Sequence, residues 1–220
     1  MAKVPVDGRP RPRKAPRQAR SLETVKAIVE AAARILEEGG HAGLSTNAVA
    51  ERAGVSIGSL YQYFPNKDAL IGALIARETA LLIEDARRAL DEPSGQRGIA
   101  LLIDACIAHQ FRRPELARLL DFEEARLPLD AGTLEVKERF ALIMAEVLGR
   151  ADLPPQEDVA LATRDVVAIV KGMVDAAGLD RETGARGLAR RVGKAVSGYL
   201  GYRCAPPGPL GDDFGLPGSG

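Results

Sequence analysis

The sequence has no tryptophan, two cysteines and two histidines in 220 residues. Cys106 and Cys204 make no CxxC motif and no disulfide framework, a usage that fits a reducing cytoplasm. His41 and His109 stand 68 positions apart with no ligand cluster beside either, so neither a metal site nor a cofactor is expected. Long apolar runs are missing as well. Runs such as 99–103 and 166–170 have five residues each, and none exceeds the six of 140–145, whereas a membrane helix needs about 20. The N-terminal residues carry charge but no apolar stretch, so no secretory signal is expected. Alternating strand patterns are absent, and no repeat recurs at a fixed period. Neither charge is in excess: 30 Lys and Arg balance 30 Asp and Glu.

What is there suffices for a core. Hydrophobic residues make up 46% of the chain, and this length allows one or two domains. The charge is not evenly spread. Residues 1–70 hold 11 basic against 7 acidic residues, a net of +4, and residues 71–220 hold 19 against 23, a net of −4. Residues 1–20 alone hold seven basic residues against Asp7. Such asymmetry points to a polyanion partner at the basic end.

Residues 1–20, rich in Pro and Arg, read as a flexible basic arm, and residues 205–220, rich in Pro and Gly, as a disordered tail. Everything between reads as helix, about nine in all. The first is expected over 22–38, with Leu22, Val25, Ile28, Ala32, Ile35 and Leu36 on one stripe, Ser21 as cap, and Gly39 and Gly40 as stop. Ser45 or Thr46 caps a short second helix to Ala53. Gly54, Val55 and Ser56 form a turn, and Ser56 caps a third helix that ends near Tyr63, before Pro65. A long helix follows over 67–90, with Leu70, Leu74, Leu81 and Ala89 on its stripe. Further helices are expected near 97–111, 114–127, 133–149, 156–177 and 182–203, with breaks at Pro128, 149–155 and Gly178.

Two short helices joined by a three-residue turn make a helix-turn-helix, whose second helix can enter a major groove. Val49, Ala53, Val55, Leu60 and Phe64 can form its small core. That leaves Gly58, Ser59, Tyr61, Gln62 and Tyr63 facing outward, without a charge among them. Tyrosine suits sugar–phosphate and thymine-methyl contact, and Gln62 can pair with adenine. Gly58 allows close backbone approach. Lys67, at the start of the next helix, can hold a phosphate. Three of the nine aromatic residues fall within 61–64. The alternative reading is a plain helical corner with tyrosine on its surface.

The run LSTNAVAERAGVSIGSLYQYFPNKDAL (residues 44–70), with its AxxAGVSxGSLYxYFxxKxxL pattern, resembles the DNA-binding domain of the tetracycline-repressor (TetR) family. The likeness covers about residues 22–70. It implies a bacterial, all-helical homodimer, with a three-helix DNA-binding domain over 21–66 and a ligand-binding and dimerisation domain over 67–204. By position it implies DNA contacts at Thr46, Ser56, Ile57, Gly58, Ser59, Tyr61, Gln62, Tyr63 and Lys67, with Tyr63 and Lys67 on phosphates. Ile57 departs from the longer polar or basic side chain that many relatives carry there. The resemblance further implies a palindromic operator and release by a small-molecule effector.

The last two helices also read as an interface. Val159, Val166, Val167, Ile169, Val170, Met173 and Val174 make 156–177 broadly apolar, and Leu188, Val192, Val196, Tyr199 and Leu200 recur on 182–203. Gly184, Gly187, Gly193, Gly198 and Gly201 are costly inside a helix, which close approach of another helix would offset. Core packing within one subunit is the alternative. Candidate effector-lining residues are Cys106, His109, Gln110, Phe111, Phe122, Glu123, Arg126, Phe140, Met144 and Thr163. A Cys106–His109 nucleophile pair lacks a third orienting group, so no catalytic residue is expected. A DNA-coating structural protein would be basic throughout. The expected function is a ligand-responsive, DNA-binding transcriptional regulator, most naturally a repressor, acting in the cytoplasm.

Overall fold

In the computed structural model, residues 14–126 and 131–203 are described; the expected tail and residues 1–13 of the expected arm lie outside them. The described residues form ten helical segments and no strand. None of these helices is long and apolar enough to cross a membrane. The chain divides into two compact units after Lys67.

The N-terminal unit contains α1 (Lys14–Gly43), α2 (Thr46–Ala53) and α3 (Ile57–Tyr63). α1 starts seven residues before the expected Ser21 cap, so residues 14–20 are helical and not part of a structureless arm. The reason is local: Lys14, Ala15, Arg17, Gln18 and Ala19 favour helix, and Pro16 falls in the first turn, where its missing N–H costs no bond. Ser21 therefore lies within α1. Gly40, at φ 59 and ψ −162, kinks the helix after Gly39 in a conformation that side-chain-bearing residues rarely adopt. Ile28, Ala32, Ile35 and Leu36 are buried as expected, but Leu22 is 62% exposed, because burial along α1 begins only at Ile28.

The short helices end where their sequence says. Ser45 accepts a hydrogen bond from the Ala48 amide at the start of α2, and Gly54 closes it in the left-handed region at φ 67. Ser56 accepts from the Ser59 amide to cap α3, and Phe64, extended before Pro65, ends it. Val49, Leu60 and Phe64 are buried, while Ala53 and Val55 are half-buried.

The C-terminal unit holds α4 (Lys67–Ala86) from its second residue on, α5 (Arg88–Asp91), α6 (Gly95–Arg112), α7 (Pro114–Arg126), α8 (Ala131–Leu148), α9 (Val159–Leu179) and α10 (Ala185–Leu200). The helix expected over 67–90 breaks at Arg87, which splits off the four-residue α5. Its buried stripe runs through Leu70, Leu74 and Glu78, and Leu81 is 44% exposed instead. Glu78 can occupy an apolar stripe because the Arg77 guanidinium lies 2.6 Å from its carboxylate. The core gathers Ile99, Leu102, Met144, Val147, Val166, Leu188, Val192 and Val196, with α9 and α10 both packed on α6.

Asp152 fastens the start of α6. Its carboxylate accepts from the Ser94 hydroxyl at 2.7 Å and the Gly95 amide at 2.6 Å, bonds that hold it below the usual carboxylate range. Gly178 does not break α9 as expected. It sits inside the helix, where an added Cβ would come 2.2 Å from the Gln110 side-chain nitrogen on α6, so this glycine marks a close helix approach. Gly184 and Gly201 lie at the two ends of α10 and not in its interior.

Burial pushes the Asp104 carboxyl on α6 up to about 6 from its ordinary 3.8. The folded chain thus binds this proton more tightly than the unfolded chain. The site's contribution to stability is full below the unfolded value and is lost as pH rises through about 6. Asp104→Asn should therefore raise the Tm at about pH 7.5 and give no gain near pH 4. Equal Tm differences at both pH values, read by calorimetry, would contradict this.

Candidate DNA interface and effector cavity

The outer face of α3 is neutral and ordered by hydrogen bonds. Ile57, Tyr61 and Tyr63 are 39%, 50% and 36% exposed, and Ser56, Gly58 and Gln62 are exposed beside them. The Tyr61 hydroxyl lies 3.2 Å from the Thr46 hydroxyl at the start of α2. The Ser21 hydroxyl on α1 donates to the Tyr63 hydroxyl at 3.1 Å. The Ser56 and Ser59 hydroxyls meet at 2.8 Å. Each hydroxyl on this face thus has a protein partner that fixes its direction.

Two basic groups brace the same unit. Arg52 on α2 forms a two-pronged pair with Glu38 on α1, one arm at 2.6 Å. Its hydrogen bond holds the Glu38 carboxyl low. Lys67 Nζ donates to the His41 carbonyl at 2.8 Å, just past the Gly40 kink. A lysine there satisfies a carbonyl at the end of α1, and its ammonium keeps further donors for a phosphate. The structure thus groups all nine residues expected at the DNA face, Thr46 through Lys67, within α2, α3, the turn between them and the first residue of α4. Ser21, His41 and the Glu38–Arg52 pair are additions. Only a half-buried serine in an otherwise well-patterned helix hints at Ser21, and nothing in residue spacing reveals a partner 42 positions away.

In the C-terminal unit a cavity of about 50 Å³ opens between α4, α6 and α7, lined among others by Ile75, Glu78, His109, Ala117, Asp121 and Glu124. Of the effector-lining candidates, His109 is on its wall. Its Nδ1 is buried without a partner among the described residues, and burial lowers its pKa, so the imidazole is neutral near pH 7. Burial also pushes Asp121 up, and Lys171 on α9 lies 3.6 Å from Asp121, 3.4 Å from Glu124 and 2.8 Å from Asp175.

The other candidates sit elsewhere. Phe122 is 68% exposed, because α7 turns it away from the apolar side formed by Leu116 and Leu120. Phe140 and Met144 belong to the core, with Phe111 packed against it. Thr163 is buried with its hydroxyl unpartnered among the described residues. Gln110 is buried with its amide 3.4 Å from Asp121. Glu123, 2% exposed, accepts from Arg126 at 2.8 Å, and Arg126 also donates to Asp68 at 3.0 Å. Cys106 packs partly buried against the core, and burial pushes its thiol up to about 12. A thiol so weakly acidic supplies almost no nucleophilic thiolate at neutral pH.

Residues 28–74 match the family model of bacterial regulatory proteins, tetR family, and residues 96–200 match that of the tetracyclin repressor-like C-terminal domain. The HTH-type transcriptional repressor KstR of Rhodococcus jostii is 30% identical over 184 residues, covering 81% of this chain and 84% of that protein. The HTH-type transcriptional regulator UidR of Escherichia coli K12 is 25% identical over 197 residues, covering 80% and 94%. Among solved structures, FadR of Bacillus subtilis in complex with stearoyl-CoA aligns with a TM-score of 0.68 at 20% identity, covering 78% of this chain and 96% of that one. A TetR-family regulator of Streptomyces coelicolor aligns at 0.62 and 27% identity, covering 81% and 98%.

The tethers of the two tyrosines predict a positional role. Ser21→Ala should leave the Tm nearly unchanged and weaken DNA binding about two- to tenfold, the range of one exposed hydrogen bond. Fluorescence anisotropy on a bound duplex checks this, and wild-type affinity in Ser21→Ala would contradict it.

Proposed function

This chain belongs to the tetR family of bacterial regulatory proteins and is a ligand-responsive, DNA-binding transcriptional regulator of the repressor type; we propose that it binds a palindromic operator as a homodimer in the cytoplasm and lets go when a small molecule enters its C-terminal unit. The observation that carries the DNA reading is the neutral face of α3, held in place by the Thr46 and Ser21 hydroxyls.

The dimer reading rests on the side of α9 and α10 turned away from the core. Val166, Val170 and Val174 on α9 and Leu188, Val192 and Val196 on α10 are buried. Their other side exposes Leu161, Ala168, Gly172, Ala176 and Leu179, with Gly198 and Tyr199. A Cβ at Gly172, Gly187 or Gly198 would meet nothing within 4 Å. Glycine inside a helix costs about 1 kcal/mol against alanine, and the close approach of a second copy's helices offsets that cost. Two such chains would set their recognition helices about 34 Å apart, one turn of duplex.

The effector reading rests on the cavity beside α4. Pockets for drug-sized ligands measure roughly 300–1,000 Å³. A ligand of that size enters a space of about 50 Å³ only if α4, α6 and α7 move apart. The first turn of α4 is where such movement would be felt. Lys67, the last residue of the N-terminal unit, is held within that unit by the His41 carbonyl, and Asp68, the first residue of the C-terminal unit, is held within its own by Arg126 at the end of α7.

Selection from a randomised duplex library should yield a two-fold symmetric sequence bound by two chains. Gly172→Leu should keep the helix content seen by circular dichroism, since leucine is the better helix former by about 1 kcal/mol, yet shift sedimentation from dimer to monomer and weaken binding to the selected duplex. An unsymmetric selected sequence, or a dimeric Gly172→Leu with wild-type affinity, would sink this reading.

A further inference from the structure

We infer that each operator half-site is read through A·T pairs, with Gln62 taking an adenine and Ile57 a thymine methyl group. This rests on the reading of α3 as the recognition helix and goes on to say what that helix selects.

The inference follows from sorting the groups on the exposed face by what they remain free to do. The Ser56, Ser59, Tyr61 and Tyr63 hydroxyls are oriented by protein partners: Ser56 and Ser59 by each other, Tyr61 by Thr46, Tyr63 by Ser21. They suit contacts to sugar and phosphate, which position a protein without reading sequence. Gly58 offers no side chain. Gln62 is exposed, and its amide has no hydrogen-bond partner among the described residues. Ile57 is 39% exposed, a branched apolar side chain at the first position of the helix.

The groups missing from this face matter as much. Guanine is read most often by arginine or lysine reaching both O6 and N7, and cytosine by a carboxylate accepting from N4. α3, with sequence IGSLYQY, has neither kind of residue. The described basic side chains on either side of it, Arg52 and Lys67, are engaged with Glu38 and the His41 carbonyl. An amide offers one donor and one acceptor, which matches the N6 donor and N7 acceptor of adenine; guanine shows two acceptors at the corresponding places. Ile57 gains by covering a thymine methyl and loses by covering the N4 donor of cytosine, which would be left unpaired. The two residues are five apart, roughly 7.5 Å along the helix axis, so they read different base pairs.

The test starts from the sequence selected out of a randomised duplex library. In one series each thymine is replaced by deoxyuridine, which lacks only the methyl group. In a second, each adenine is replaced by 7-deaza-adenine, which lacks only the N7 acceptor. One uridine position per half-site should weaken wild-type binding about tenfold, and Ile57→Ala should not respond to that replacement. One 7-deaza position should do the same for the wild type and be silent in Gln62→Ala. Both substitutions are on the exposed face, and an unchanged Tm verifies that the variants are folded. Selected half-sites with G·C pairs at the core positions, or losses that persist undiminished in the variants, overturn the inference while leaving the recognition-helix reading intact. Enrichment of no sequence at all overturns both.

Discussion

A seven-residue helix cannot hold its own shape in water, and α3, the helix proposed to face DNA, is one. Isolated helices shorter than about 12–15 residues are marginal even in favourable sequences. α3 therefore owes its existence and direction to what surrounds it. Leu60 and Phe64, four apart, are buried beside Val49. Ser56 caps the first turn, and Gly54 supplies a left-handed turn that other residues adopt at a cost. The outward face inherits its orientation from these buried and capping residues, and the Thr46 and Ser21 hydroxyls set the two tyrosine rings upon it. Recognition groups held this way need little reordering on contact with a partner, so less of the interaction energy goes into ordering them.

The same constraint gives meaning to a net charge of zero. A helix that discriminates bases needs shape and hydrogen-bond pattern, and α3 has both without a charged residue. The proposal leaves attraction to the phosphate backbone to the rest of the N-terminal segment, where residues 1–70 carry a net of +4. The C-terminal segment, at −4, has charges of both signs gathered into internal pairs such as Lys171 with Asp175 and Arg126 with Glu123. The balance of charges over the whole chain is a sum over two units with different partners.

Much of the DNA-binding unit is legible in the sequence because its signals are local. A serine three residues ahead of an amide, a glycine where the backbone turns left-handed and a proline after the last turn act over a few positions. Each does at Ser45, Gly54, Ser56 and Pro65 what its chemistry requires. The hydrogen bonds that aim the tyrosines join residues 15 and 42 positions apart, and no spacing rule reports them. The C-terminal unit is harder to read for the same reason. Gly178 looks like a helix stop but serves as a point of close contact with Gln110 on another helix. Glu78 stands where a leucine would be expected because Arg77 neutralises it. The cavity wall combines residues from three helices, of which His109 alone stands out in sequence, as a polar ring in an apolar helix.

The most direct test of this division between a reading helix and a responding unit is hydrogen exchange on the full chain, with and without the selected operator duplex. Slowed exchange should concentrate in residues 44–67, with α3 the most affected and α6 and α7 little changed. Exchange in 56–64 that is indifferent to DNA, with protection falling instead on α6 to α8, would contradict the central claim that α3 is the surface through which this protein reads DNA.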